Sequence, residues 1–205
     1  MEKIVIMGCG DLVLPLADAI LKKEDELLGV LDDQDTAEAA GGYPLLGKLA
    51  DWHSWADQGC LFIAGSADRS VRRGLFEKFP EIPWTRVIHP AAVTGLGASV
   101  GPGSFIGAGT ILGAGASVGA HTVIEAGGIL GTSAAVGDFC QLLSRVNAGS
   151  RVSVGAHSFI GQSATLKDGV KIAENTVIQT GEIVVKDMVM KMVFKRGAWI
   201  YKENG

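Results

Sequence analysis

Aliphatic residues recur at every sixth position from Ile88 to Val184 without a slip. Fifteen of these 17 positions are Val, Ile or Leu, and a glycine often follows directly, as at Gly101 and Gly119. The residue two places earlier is small or β-branched, for example Ala98. A helix turns by about 100° per residue, so six steps do not return to one face. The pattern predicts a triangular parallel β-helix, with one hexapeptide per flat side and three hexapeptides per coil.

Before the repeats, strand-like and helix-like segments alternate, which predicts a parallel α/β sheet with crossover helices. Predicted strands cover residues 3–7, 27–31, 61–64 and 84–88, and predicted helices cover 12–22, 45–55 and about 67–79. About 85 residues hold only half of a full dinucleotide-binding fold. We therefore expect a half-Rossmann domain over residues 1–85, a β-helix over 86–190 and a C-terminal tail over 191–205.

Composition narrows the class of protein. The 205 residues are 47% hydrophobic with a net charge of -4, and this slight acidity argues against a nucleic-acid partner. No apolar run reaches the roughly 18 residues of a membrane helix, and the N-terminus has no signal-peptide pattern. Cys9, Cys60 and Cys140 have no disulfide or metal spacing. A reduced, cytoplasmic location with no membrane partner is the simplest expectation.

A glycine-containing turn, Gly8-Cys9-Gly10, joins the first predicted strand to the first predicted helix. Glycines let backbone N–H groups approach a phosphate at a helix N-terminus. Val13 replaces the third glycine of the dinucleotide fingerprint, so a nucleotide sugar, NAD or a mere tight turn all stay open. Asp32 follows the second strand, where a carboxylate accepts from ribose hydroxyls. The candidate substrate-binding residues are Gly8, Gly10, Asp11, Asp32 and Asp33.

Five segments resemble the bacterial sugar O- and N-acetyltransferases, which include the sialic acid O-acetyltransferases and the UDP-bacillosamine N-acetyltransferases. They are IVIMGCG (4–10), GVLDD (29–33), GYPLLG (42–47), VIHPAAV (87–93) and VVKD (184–187). The resemblance implies a left-handed β-helix, a homotrimer and a nucleotide sugar on the N-terminal domain. It also implies acetyl-CoA as cosubstrate, in the groove between two β-helices.

The sequence departs from that family at the catalytic position. Family members usually carry a Glu-His pair whose histidine is the general base, and here the unbroken hexads place Gly131-Thr132 there. A threonine cannot take a proton near neutral pH, but an α-amino group with a pKa near 8 is already partly neutral. Glu125 is the nearest carboxylate and is expected to receive the proton, unless it is only a polar residue at a coil corner. Thr132 and Glu125 are the candidate catalytic residues.

Other histidines have simpler interpretations. His121, Phe139, His157 and Asn175 are spaced by 18 residues, so we expect one column at a turn, with both histidines solvated. His89 follows the last predicted strand and is expected at the domain junction, rather than as a base. No three histidines have spacing suited to a zinc site, so no metal is expected.

A basic cluster near the C-terminus is the candidate CoA site, since CoA presents a 3′-phosphate and a pyrophosphate. Its members are Lys186, Lys195 and Arg196, although a solvated basic tail fits them equally. For the trimer, we expect Ala114, Ala116 and Val152 on the outer sides of the β-helix.

Two functions stay open. The first is an acyl-CoA-dependent acyltransferase, an acetyltransferase above all, which acts on a nucleotide-linked amino sugar and is assisted by the substrate. The alternative is a catalytically silent trimer that binds a sugar nucleotide or has a structural role.

Overall fold

The computed structural model describes residues 1–34, 41–190, 193–195 and 198–200, and side chains through residue 190. Its N-terminal part contains β1 (Lys3–Met7), α1 (Val13–Lys22), β2 (Glu26–Leu31), β3 (Leu45–Gly47), a 3-10 helix (Leu49–Asp51), α2 (Trp52–Ala56), β4 (Leu61–Ala64) and α3 (Arg69–Lys78). The four strands form a parallel sheet in the order β3-β2-β1-β4. None of the helices in the described ranges is long and apolar enough to span a bilayer.

Two predicted elements differ from the structure. The predicted helix over 45–55 is wrong in its first part, because residues 45–47 pair with β2 as the edge strand β3. A free sheet edge offers hydrogen bonds that override local propensity, and the chain turns helical only from Leu49. The predicted strand over 84–88 is divided. Trp84 forms a single bridge to Phe62 of β4, whereas residues 87–88 belong to the next sheet.

A left-handed parallel β-helix follows. Its strands are β5 (Val87–Ile88), β6 (Val93–Thr94), β7 (Ser99–Val100), β8 (Phe105–Ile106), β9 (Ile111–Leu112), β10 (Ser117–Val118), β11 (Val123–Ile124), β12 (Ile129–Leu130), β13 (Ala135–Val136), β14 (Gln141–Leu142), β15 (Asn147–Ala148), β16 (Ser153–Val154), β17 (Phe159–Ile160), β18 (Thr165–Leu166), β19 (Lys171–Ile172), β20 (Val177–Ile178) and β21 (Ile183–Val184). Every third strand pairs in parallel, giving three sheets. Two later strands, β22 (Val193–Lys195) and β23 (Ala198–Ile200), extend the sheet that contains β20.

The structure confirms that the hexad positions point into the core of the β-helix. From Val100 to Val184, every sixth residue is buried, whereas Thr94 at the first coil is exposed. The position two places earlier also points inward. The expectation that Ala116 and Val152 lie on the outer sides is therefore wrong, since both are at most 1% exposed. Ala114 is exposed at a coil corner.

Hydroxyl groups inside one edge of the β-helix connect successive coils. The Ser104 hydroxyl donates to the Gly119 carbonyl at 2.7 Å and accepts from the Thr122 amide at 2.8 Å. The Thr122 hydroxyl repeats this one coil later, donating to the Gly137 carbonyl and accepting from the Cys140 amide. Buried polar side chains are tolerated here because backbone groups satisfy them.

The N-terminal part packs against the β-helix face that contains β8 and β11. Phe105 and Val123 point outward from that face into the apolar cluster formed by the sheet and α1. Arg72 of α3 is 1% exposed and donates to four backbone carbonyls, two just before α3 and two on the β-helix. Burial lowers the pKa of this guanidinium to about 10. The charge is held by carbonyl dipoles, without an ion pair to a carboxylate in the described residues.

Candidate functional site

A cavity of about 340 Å³ lies between the carboxyl end of the parallel sheet and one corner of the β-helix. This position fits the general rule that α/β sheets bind ligands beyond the carboxyl ends of their strands. The residues that line it are Asp11, Leu12, Pro15, Asp18, Ala67, His89, Phe105, Gly107, Ala108, Glu125, Ala126 and Ser144. Three of them are carboxylates, and neither Lys nor Arg is among them.

Glu125 is held in place by the following coil. Its Oε2 atom accepts from the Ser144 hydroxyl at 2.7 Å and from the Ser144 amide at 3.1 Å. Ser144 lies 19 residues after Glu125, one residue beyond the 18-residue coil period, at the same corner of the next coil. The hexads locate this corner, but no sequence pattern marks Ser144 as the partner of Glu125.

His89 occupies the domain junction, as expected, and is 5% exposed. Its Nδ1 atom accepts the Ala91 amide at 3.0 Å, so Nε2 carries the ring hydrogen and donates to Asp18 at 3.0 Å. Hydrogen bonds from Lys22 and His89 hold the pKa of Asp18 below its ordinary value. Because both ring nitrogens are engaged, His89 positions Asp18 and has no free lone pair for a substrate proton.

Thr132 is exposed at a coil corner and is not among the residues that line this cavity. The structure therefore does not bring the two candidate catalytic residues into one cavity. The Thr132 carbonyl accepts the Arg151 amide at 2.9 Å, which is an ordinary coil contact.

In the Gly8–Gly10 turn, packing explains the second glycine. A Cβ on Gly10 would lie 2.6 Å from the Gly65 carbonyl, and Gly65 in turn has no room for a side chain beside Gly8. The Gly65 carbonyl also accepts the Leu12 amide at 2.9 Å. The two turns touch, so a larger residue at Gly10 would displace the β4–α3 turn whether or not a nucleotide binds.

The carboxylates near this turn already accept protein hydrogens. Asp11 accepts the Ala67 amide at 2.8 Å, and Asp32 accepts the Cys9 amide at 2.5 Å. Asp33 accepts the Leu49 amide at 3.0 Å. Burial, together with the negative charge of Asp32, raises the pKa of the Cys9 thiol to about 11. Cys9 is consequently not a thiolate near neutral pH.

The predicted column of His121, Phe139 and His157 is present, with neighbouring rings 5.0 and 5.3 Å apart and nearly parallel. The solvated interpretation is wrong for His121, which is 2% exposed under Phe76 and Trp84. Burial, aided by the charge of Arg72, lowers the pKa of His121 to about 4. It is therefore a neutral packing residue.

The candidate CoA residues are only partly described. Lys186 is exposed after β21, Lys195 has a described backbone in β22, and Arg196 lies outside the described residues. In the described ranges, no three His, Cys, Asp or Glu side chains are grouped to hold a metal ion.

Solved structures share this fold at low sequence identity. A variant of perosamine N-acetyltransferase from Caulobacter crescentus, in complex with CoA and GDP-perosamine, is 23% identical over 100% of this chain and 98% of its own, with a TM-score of 0.90. The acetyltransferase domain of PglB from Neisseria gonorrhoeae is 18% identical over 94% and 96%, with a TM-score of 0.87. WeeI from Acinetobacter baumannii is 16% identical over 94% and 96%, with a TM-score of 0.77. No protein-family model and no curated protein sequence matches the chain. The likeness establishes the fold: a small parallel α/β unit followed by a left-handed β-helix.

Proposed function

We propose that this protein is an acyl-CoA-dependent acetyltransferase that acts on the amino group of a nucleotide-linked sugar. The observation that carries the proposal is the cavity between sheet and β-helix, which is lined by Asp11, Asp18 and Glu125 and by no described Lys or Arg. Lys22 pairs with Asp18 at 2.9 Å from outside this lining, so Asp11 and Glu125 provide most of the unpaired negative charge. Such a site favours an ammonium group over a neutral hydroxyl or an anion. Structural neighbours named as a perosamine N-acetyltransferase with CoA and GDP-perosamine support the same class of reaction.

In this proposal, Glu125 takes the proton that the amino group must lose. Ser144 holds Oε2 with two hydrogen bonds, so the carboxylate keeps a fixed orientation and presents its other oxygen. The acceptor ammonium first loses one proton to solvent, and the neutral amine attacks the thioester carbonyl. A C–N bond forms, the nitrogen passes its next proton to Glu125, and the C–S bond breaks to release CoA thiolate, which takes up that proton from Glu125. Thr132 takes no part in this proton transfer. Positioning of both substrates provides most of the acceleration.

The nucleotide is assigned to the N-terminal part. Its phosphates lie over Gly8, Gly10 and the Asp11 amide, outside the acidic cavity, and its ribose lies near Asp32 or Asp33. The CoA phosphates are assigned to Lys186, Lys195 and Arg196. Gly8 is a better test position than Gly10, because no atom lies within 4 Å of a Cβ there, although its φ of +89° strains any L-residue.

We further propose a homotrimer. The sheet containing β6, β9, β12 and β21 presents the exposed apolar side chains Val93, Ile111, Ile129 and Ile183 on one side of the β-helix. Aligned apolar side chains of this kind mark an interaction surface. A threefold ring buries each such side against a different surface of the next copy. A monomer in light scattering at micromolar concentration would reject the trimer.

The decisive experiment measures CoA release by the full chain, with acetyl-CoA and GDP- or UDP-linked amino sugars or their hydroxyl analogues. We expect transfer to the amine only, with a rate that rises as the acceptor ammonium loses its proton near pH 8. Glu125→Gln should lower kcat by about 10²-fold or more. The matched control is Glu174→Gln, an exposed carboxylate that does not line the cavity. Equal rates for the two variants would remove Glu125 from the mechanism.

A silent nucleotide-sugar-binding trimer is the second candidate. It is favoured by the exposed position of Thr132 and by the engagement of both His89 nitrogens. Calorimetry showing that the nucleotide sugar and CoA bind, without turnover of any CoA thioester tested, would establish this candidate and reject the enzyme.

A further inference from the structure

Three arginines share the face of α3 that meets the β-helix. Arg69, Arg72 and Arg73 stand at positions i, i+3 and i+4 and therefore lie side by side. Arg72 has its donors satisfied by carbonyls, as described above. Arg69 does not, because its Nη1 atom is buried and has no hydrogen-bond partner among the described residues. A buried donor of a charged group without an acceptor is costly, so this side chain gains free energy when it turns to meet an acceptor.

A second, smaller cavity of about 100 Å³ lies at this guanidinium. Arg69, Ser70 and Arg73 form its wall on α3, and His157 and Asn175 form the wall on the β-helix. No carboxylate of the described residues lines it. The Arg69 guanidinium also lies over the Phe159 ring, 5.9 Å from its centroid, which limits its freedom.

The neighbouring carboxylates are already engaged. Asp68 accepts from the Ser70 and Val71 amides at the start of α3, so these amides are not free to bind a ligand. Glu77 pairs with Arg73 at 3.2 Å, with both side chains more than half exposed. No ion pair joins Arg69 to a carboxylate in the described part of the chain. The positive charge at this cavity therefore comes from side chains and is only partly neutralised.

We propose that this cavity binds a single phosphate-type oxyanion, separate from the acidic cavity at Glu125. Guanidinium groups pair with phosphate oxygens through parallel N–H donors, and two arginines with an amide and an imidazole match a tetrahedral anion. The volume is well below the roughly 300 Å³ of sites that hold drug-sized ligands, so only one phosphate group enters. Inorganic phosphate and the phosphate monoester of a larger ligand share this chemistry. A CoA 3′-phosphate in this cavity would replace its assignment to the C-terminal basic cluster.

The experiment titrates inorganic phosphate into the full chain by isothermal calorimetry at constant ionic strength, set with chloride. Arg69→Gln should weaken phosphate binding at least about tenfold, because one charge-assisted pair is lost. Asn175→Asp adds a negative charge on the opposite wall of the cavity and should weaken phosphate binding by a similar factor. Aspartate tolerates the positive φ of 54° at this position, so the variant should fold. The control Arg151→Gln removes the same charge at an exposed corner away from the cavity and should bind like the parent.

Binding that is equal in the parent and in Arg69→Gln would overturn the proposal, as would equal weakening by Arg69→Gln and Arg151→Gln. Circular dichroism checks that each variant is folded. If Arg69→Gln does not fold, phosphate binding by Asn175→Asp becomes the test, and binding equal to that of the parent overturns the proposal. Competition separates the two sources. If CoA displaces phosphate and dephospho-CoA does not, the site takes a 3′-phosphate. If neither does, it takes the free ion. This test needs no acetyl transfer, so it stands apart from the proposed enzymatic activity.

Discussion

Arg72 is expected to contribute more to stability than any other side chain on the face of α3 toward the β-helix. Arg72→Met removes the donors of four carbonyls, two before α3 and two on the β-helix. The Cys140 carbonyl keeps a second donor, the Val123 amide, so three carbonyls lose their partner. A buried acceptor without a partner costs roughly 2 kcal/mol, or about 6 kcal/mol for three.

Part of this loss is regained, because the buried charge also disappears. The fall in the Arg72 pKa from 12.5 to about 10 corresponds to a burial penalty of about 3 kcal/mol. The net destabilisation of Arg72→Met is therefore about 3 kcal/mol. For a chain of this length, that lowers Tm by about 6–12 °C. Arg72→Lys should be worse, because it keeps a buried charge while its single ammonium cannot span both sides of the junction.

Thermal unfolding followed by circular dichroism, in phosphate-free buffer, measures both variants. Arg73→Met is the matched control, because this arginine is on the same helix but half exposed and paired only at the surface. Its Tm should stay within about 2 °C of the parent. Equal Tm values for Arg72→Met and Arg73→Met would show that the Arg72 hydrogen bonds contribute little. A higher Tm for Arg72→Lys than for Arg72→Met would contradict the burial cost of the charge.

Two further predictions concern the aromatic column. His121 is protonated near pH 6.5 in the unfolded chain but only near pH 4 in the folded chain. The free energy of unfolding therefore decreases as the pH is lowered through this window, by about 2 kcal/mol at pH 5. His121→Phe, which copies Phe139 one coil later at the same positive φ, should abolish this slope in urea unfolding between pH 7.5 and 5; an unchanged slope would contradict it. Gly103→Ala places a methyl group against the His121 ring, whereas Gly97→Ala, at a similar φ, meets nothing within 4 Å. Backbone strain should lower the free energy of unfolding of both variants by about 1 kcal/mol. Only Gly103→Ala should lose more, because of the contact with the ring. Equal urea midpoints for the two variants would exclude this steric effect.

The hexads predicted the β-helix well because each coil strand depends on residues close in sequence and on the coil beneath. The inward position of Leu112, for example, follows from the count alone. The errors arose where distant parts meet. The period places His121 at a corner but says nothing of α3, which covers that corner and buries it. The Asp18–His89 pair joins residues 71 positions apart, and no local pattern signals how the two parts dock.

At the site, too, features set by the repeat were predicted from the sequence, and features set by the docking of distant parts were not. Glu125 and its place at a coil corner were predicted from the repeat, whereas its partner Ser144 was not. The cavity itself was not, since it exists only where α1 and the β4–α3 turn approach that corner. The glycines at 8 and 10 suggested a phosphate turn, and the structure adds a steric reason for Gly10 in its contact with Gly65 and a backbone reason for Gly8 in its φ of +89°.

The internal hydroxyl ladder limits how the length of this protein can change. Each rung accepts from the amide of the rung one coil later, Ser104 from Thr122 and Thr122 from Cys140. Deleting or duplicating a whole coil would join equivalent rungs again and leave the interior continuous. Inserting a single residue within a side would turn the inward residues of that coil outward and break the ladder. Length variation among homologues is therefore expected in steps of one coil, or as loops that leave at the corners.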